Sequence, residues 1–124
     1  MAATGTPEFV VRSYWDAEQR RDIGAVLGHY QSDAELVVPE LGRLVGHDEI
    51  KTFYAASIDR FPALTVTIDS ELAHGDRGVF EWSSVFTDHA GRKWESNGVN
   101  VIRVSDGKFA SVHVYYDPAP LATP

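Results

Sequence analysis

KWESNGVNVIRVSDGKFASVHVYY, Lys93 to Tyr116, holds the reading on which the fold turns. Two runs of alternating side chains flank Asp106-Gly107, a dipeptide suited to the positive φ angles of a tight hairpin turn. As a strand, Gly98 to Val104 sets Asn100, Ile102 and Val104 on one face and Val99, Val101 and Arg103 on the other. An amide then shares a face with aliphatic side chains. Burying it without a partner costs about 1–3 kcal/mol, so Asn100 must meet another residue or a ligand.

Working outward, LTVTIDSELA and RGVFEWSSVF alternate in the same way, and HGD and DHAG supply the turns that make four antiparallel strands. Before Phe61-Pro62 the pattern is helical. Thr6, Pro7 and Glu8 are three concordant start signals for a helix running to about Arg21. Asp22 caps a short second helix, DIGAVLGHY, which Gly24 and Gly28 weaken and Tyr30 ends. AELVV is a strand stopped by Pro39, and ELGRLVG is a turn with a short return strand. A third helix starts near Asp48, with acids early and Arg60 late, as the helix dipole prefers. Helices segregated ahead of a run of strands imply an α+β fold, with helices packed on one face of a curved sheet and a pocket between them.

The 124 residues are read as a single domain, 1–124, with flexible ends at 1–5 and 118–124. A hydrophobic share of 44% supports a real core, and 11% aromatics can line a cavity. A formal net charge of -7 argues against nucleic-acid and anionic-membrane partners, which need a basic face. Without cysteine there is no disulfide framework, thiol nucleophile or thiolate metal site. No signal peptide or spanning segment is evident, so a cytoplasmic location is expected. The five histidines, at 29, 47, 74, 89 and 113, form no i, i+4 or HxH pair, so neither a metal nor a cofactor is expected.

Spacing puts Val11, Tyr14, Trp15 and Glu18 on one stripe of the first helix, and Ile50, Phe53, Tyr54 and Ile58 on one stripe of the third. With Tyr30, three phenols are then available beneath the sheet. Each alone is readable as a core aromatic whose hydroxyl finds a backbone carbonyl. Val38, Phe53, Val85, Val112, Val114 and Tyr116 are the candidate apolar pocket residues. His113 and Tyr115, joined by Trp82, Phe86 and Trp94, read as an aromatic outer sheet face and hence a homodimer interface.

The Tyr14 helix followed by RRD, then SDAELVVP, GHDEIKTFYAAS, GRKWESNGVNVIRV and DGKFASVHVYYD, together resemble the ketosteroid isomerase and SnoaL-like branch of the nuclear transport factor 2-like superfamily. The likeness covers Thr6 to Asp117. It implies a cone-shaped, cystatin-like α+β barrel: three N-terminal helices on a strongly curved mixed or antiparallel sheet around an internal pocket. It also implies that Tyr14 donates to a ligand's developing oxyanion, that Tyr30 and Tyr54 extend its hydrogen-bond network, and that Asn100 is the second donor. In the isomerase that second donor is an aspartic acid kept neutral by an apolar site; an amide donates without such a shift.

The sequence departs from the isomerase where the general base belongs: Val38 stands before Pro39. Valine moves no proton. Glu18, one helical turn beyond Tyr14, and Glu40, at the rim, are the acids able to replace it, each also readable as a solvated surface group. Glu81 is readable in either register, and Asp117 as structural. On the inward parity of the last strand, Val112, Val114 and Tyr116 offer no acid of the kind SnoaL-like cyclases use. An epoxide-hydrolase Asp-Arg-Asp set is not assembled with Asn100 at a central position. The expected function is an isomerase- or cyclase-like enzyme binding a small hydrophobic carbonyl or phenolic compound. The alternatives are a catalytically silent binding protein, a SnoaL-like polyketide cyclase, or a purely structural dimerisation module.

Overall fold

Thr6 accepts a hydrogen bond from the Phe9 amide at 3.3 Å and starts α1, Pro7–Gln19, with Pro7 in the first turn. In the computed structural model, which describes residues 5–119, α1 is followed by α2, Ile23–Leu27, capped by Asp22 as its sequence requires. Then come β1, Tyr30–Val38, β2, Gly42–Val45, and α3, Gly46–Arg60. Four strands complete the chain: β3, Ala63–His74, β4, Arg77–Thr87, β5, Lys93–Ser105, and β6, Lys108–Tyr116. The ends expected to be flexible lie largely outside the described residues; Pro118 lines the mouth of the cavity described below.

The sheet order is β2-β1-β6-β5-β4-β3, with β1 parallel to β6 and every other pair antiparallel. Register shifts interrupt the β1–β6, β3–β4 and β5–β6 ladders, and such irregularities bend strands. The result is a mixed, curved sheet that stays open, β2 and β3 forming its edges, with three helices over one face. Asp106 and Gly107 both have positive φ, 52° and 76°, the requirement that marked this turn in the sequence. Tyr30 departs from expectation: it begins β1 instead of ending the second helix, because α2 stops at Gly28. No helix among the described residues is long and apolar enough to cross a membrane.

Side-chain parity in β4 corrects part of the sequence reading. Phe80, Trp82 and Ser84 are buried, while Val79, Glu81 and Ser83 are exposed. Trp82 and Phe86 therefore face the helices, and Trp94, opposite Phe86 in the β4–β5 register, shares their side. Only His113 and Tyr115 of the five supposed outer-face residues remain outside, so the dimer expectation loses three of the side chains on which it rested. Val85 moves the other way. It lies on the convex face beside Thr65, Thr67 and Glu95, away from the expected pocket. Phe80 and Trp82 set which parity of this strand lies inward, because their rings together bury far more area than Val79 and Val85 on the other face.

Gly98 lies across from Trp82. A Cβ there would come within 2.5 Å of the Tyr115 carbonyl oxygen and 2.7 Å of the indole ring. Only a residue without a side chain lets the indole lie over β5. Gly98→Ala is expected to destabilise the protein by about 1–3 kcal/mol, since backbone or indole must shift. Urea unfolding measures this, and an unchanged midpoint would refute the packing described.

Candidate functional site

A cavity of about 450 Å³ lies between the concave sheet face and α1 and α3, a volume typical of small-molecule sites. Apolar walls come from Trp15, Val38, Phe53, Leu64, Val66 and Val114 among others. Two polar poles interrupt them.

Asn100 forms the first. It is buried, and its Oδ1 accepts from the Trp82 indole N–H at 2.8 Å. An indole nitrogen only donates, so this contact fixes the amide's orientation and leaves the NH2 group pointing elsewhere. Among the described residues that NH2 has no protein partner, and no buried side-chain polar atom is orphaned. The Asn100 Nδ2 therefore opens onto the cavity as a preorganised donor.

The second pole is Glu18. Its side chain is 13% exposed, one oxygen accepting from the Tyr14 hydroxyl at 2.7 Å and the other from Arg21 Nη1 at 3.2 Å. Tyr14 and Tyr54 share a hydrogen bond of 2.6 Å, and Tyr54 and Tyr30 one of 2.5 Å. One chain of side chains thus links α3, β1 and α1. Burial, which disfavours the anion, raises the Glu18 pKa against the opposing pull of Tyr14 and Arg21. Burial likewise pushes the phenols of Tyr14, Tyr54 and Tyr30 up, keeping all three protonated.

Arg21 was not foreseen. It follows α1 in a left-handed conformation, φ 54°, and its side chain is only 8% exposed. Besides Glu18 it donates to the Phe61 carbonyl at 3.0 Å and to Ser57 Oγ at 3.2 Å, fastening the end of α1 to the end of α3. Its positive φ follows from closing the α1–α2 link, where Asp22 N donates to the Ala17 carbonyl.

The structure brings Tyr14, Glu18, Tyr54, Asn100, Val38, Phe53, Val114 and Tyr116 to one cavity, with Glu40 at its mouth. Glu40 is exposed and accepts from the Tyr116 hydroxyl, which burial and this carboxylate together hold well above the ordinary phenol range. Tyr30 stands behind Tyr54, outside the lining, and Val112 is core packing, fully buried off the cavity wall. Glu81 points to solvent. Trp82, Trp15 and Phe86 join the walls without having been assigned there. Gly98, facing the position that Trp82 covers, was the one available signal for the indole.

The histidines serve locally: His29 bonds Ser13 and the Ala25 carbonyl, His47 the Tyr30 carbonyl, His89 the Asp59 carbonyl and His113 Glu35. Among the described residues no three His, Asp or Glu side chains converge on a possible metal position. The cavity brings together the Asn100 amide donor, the desolvated Glu18 carboxyl and the phenols of Tyr14 and Tyr54, with Ser84, Ser96, Glu40, Arg60 and Tyr116 also on its lining.

Residues 11–112 match the model of the SnoaL-like domain family. Among solved structures, a nuclear transport factor 2-like protein of unknown function from Burkholderia pseudomallei K96243 superposes with a TM-score of 0.80 at 24% identity, covering 98% of this chain and 95% of that one. A hypothetical protein with a ketosteroid isomerase-like fold from Catenulispora acidiphila DSM 44928, crystallised with trimethylamine, gives 0.80 at 19%, covering 96% and 95%. A protein assigned as a SnoaL-like polyketide cyclase from Jannaschia sp. CCS1 gives 0.78 at 15%, covering 92% and 87%. At these identities the likeness establishes the fold. No curated protein matches the chain.

The Glu18–Arg21 pair generates a pH-dependent stability test. Arg21→Met leaves a buried carboxylate unpaired, which costs about 3–5 kcal/mol. Without Arg21 the folded-state pKa of Glu18 rises further above its unfolded value, so the folded variant binds this proton more tightly. Its stability therefore recovers as pH falls through that folded pKa, and the deficit is larger at neutral pH than in mild acid. Urea unfolding at both conditions checks this; an equal deficit would show that Glu18 is not an ionised partner of Arg21.

Proposed function

The chain belongs to the SnoaL-like domain family, and on that premise we propose that it is a small-molecule enzyme of the general acid–base type, acting on a hydrophobic carbonyl or phenolic compound. The observation that carries this reading is the Asn100 amide NH2, free of protein partners among the described residues, in the same cavity as the desolvated carboxyl of Glu18. Asn100 donates to the ligand's oxygen, and Glu18 takes and returns the proton whose departure puts charge there. A carboxyl whose pKa is raised by burial is suited to that work. A donor aimed at a developing oxyanion in a water-poor site contributes about 3–4 kcal/mol to the barrier. Val38, fully buried at the position where the isomerases carry their base, leaves Glu18, bonded to Tyr14, as the desolvated acid of the cavity, Glu40 being exposed.

Val38 also favours a second reading, a binding protein in which the same donors hold a ligand without chemistry. The two separate experimentally. Under the first, the protein exchanges the α-protons of an enolisable ketone such as β-tetralone for deuterium, followed by NMR. Glu18→Gln is expected to lower the rate about 10²–10⁴-fold, and Asn100→Ala about 10²–10³-fold. Exchange no faster than in buffer, with saturable binding of β-naphthol followed by tryptophan fluorescence, would reject the enzyme and leave the binder. Absence of both would reject the cavity as a ligand site.

A further inference from the structure

A phenol has one proton to give and two lone pairs with which to accept. That count fixes the direction of the whole chain at Glu18. The carboxylate only accepts, so Tyr14 donates to it at 2.7 Å. Tyr14 must then accept from Tyr54, and Tyr54 from Tyr30. In this state the Tyr14 hydroxyl has no proton left for the cavity that it lines. This bears on the expectation that Tyr14 donates to a ligand: with Glu18 ionised, the proton is already committed.

Arg21 breaks the symmetry between the two carboxylate oxygens. It donates to Oε1, while Tyr14 faces Oε2. A proton arriving on Glu18 settles on Oε2, the oxygen away from the cation. The Oε2–H then donates to Tyr14, whose oxygen now accepts twice, from Glu18 and from Tyr54. Reversing the line would strand the proton of the buried Tyr30 hydroxyl, whose hydrogen bond among the described residues is to Tyr54, so Tyr54 keeps donating to Tyr14 and the Tyr14 proton turns toward the cavity.

We propose that Glu18 and Tyr14 exchange roles during ligand chemistry, a proton gained by Glu18 releasing the Tyr14 hydroxyl to donate into the cavity. The inference rests on the acid–base reading of this same site and narrows its ligand class. The ligand is a conjugated acid whose departing proton and charge-bearing oxygen belong to one π-system, as in an enolisable ketone or a phenol. In the step, the ligand's C–H or O–H bond breaks, the proton bonds to Oε2, and the electron pair settles on the ligand oxygen. That oxygen accepts from Tyr14 and from Asn100 Nδ2. Return of the proton from Oε2 reverses every part, so no further reactant is consumed. The ionisable groups around the exchange are Arg21, Tyr54 and Tyr30 in contact through the chain, with Glu40, Tyr116 and Arg60 on the cavity lining.

A double-mutant cycle on ligand binding tests the exchange. In Glu18→Gln, Arg21 takes the amide oxygen because a guanidinium only donates, which turns the new NH2 group toward Tyr14 and imitates the protonated carboxyl. A nitrophenol, ionised in water and followed by its phenolate absorption, is expected to bind this variant at least about tenfold more tightly than wild type. Adding Tyr14→Phe should cost about tenfold or more in the Glu18→Gln background and less than about threefold in wild type. Equal costs in both backgrounds, or no tightening in Glu18→Gln, would overturn the proposal. Should the double variant not fold, the wild-type protein with ring-labelled tyrosine supplies the same answer. The Tyr14 Cζ resonance should move in mild acid as Glu18 gains its proton, and a resonance that stays fixed would equally overturn it. Failure of ketone exchange with the coupling intact rejects the enzymatic reading alone; an additive cycle rejects the exchange whatever the ketone does.

Discussion

A carboxylate held in an apolar hollow must be given hydrogen-bond donors, and the placing of those donors ties the elements of this protein together. Tyr14 and Arg21 supply them to Glu18. Each brings a further constraint. Tyr14 accepts from Tyr54, which joins α3, and Tyr54 bonds Tyr30, which joins β1. Arg21 reaches the Phe61 carbonyl at the end of α3. The groups that fix the acid are the same groups that dock the helices on the sheet. Removing the acid's partners therefore acts on stability and chemistry together.

The opposite wall follows a different rule. There the constraint is the pleat of an antiparallel sheet, in which the side chains opposite one another across two strands share a face. Phe80 stands across from Asn100 and Trp82 across from Gly98, and the diagonal places the indole N–H on the Asn100 carbonyl. Since the indole can only donate, it leaves the amide's donor end for the cavity. A missing side chain at Gly98 is as much a part of this arrangement as the tryptophan that covers it.

Several of these relations were legible in the residues. The Thr6-Pro7-Glu8 start, the Asp22 cap and the Asp106-Gly107 turn depend on neighbours in sequence, and each occurs where the chain indicates. The stripe Val11, Tyr14, Trp15, Glu18 depends only on helical periodicity, and it faces inward as a unit. Tyr30 was misplaced by one element, a boundary that Gly28 decided. Val85, Trp82, Phe86 and Trp94 were assigned to the wrong faces of β4 and β5. Both parities of β4 carry apolar side chains, so alternation alone leaves the register open there.

The sequence by itself determined the order of elements, the turns, and the two residue types, an amide and a helical glutamate, about which the site is built. These follow from local geometry and periodicity, which need no knowledge of distant contacts. The tertiary structure alone decided which face of β4 lies inward, that Arg21 closes on Glu18, and that Tyr14 directs its proton to a carboxylate. Those outcomes rest on burial and on competition among acceptors far apart in the chain. A hydroxyl with one proton chooses its acceptor only after folding has brought the candidates within reach.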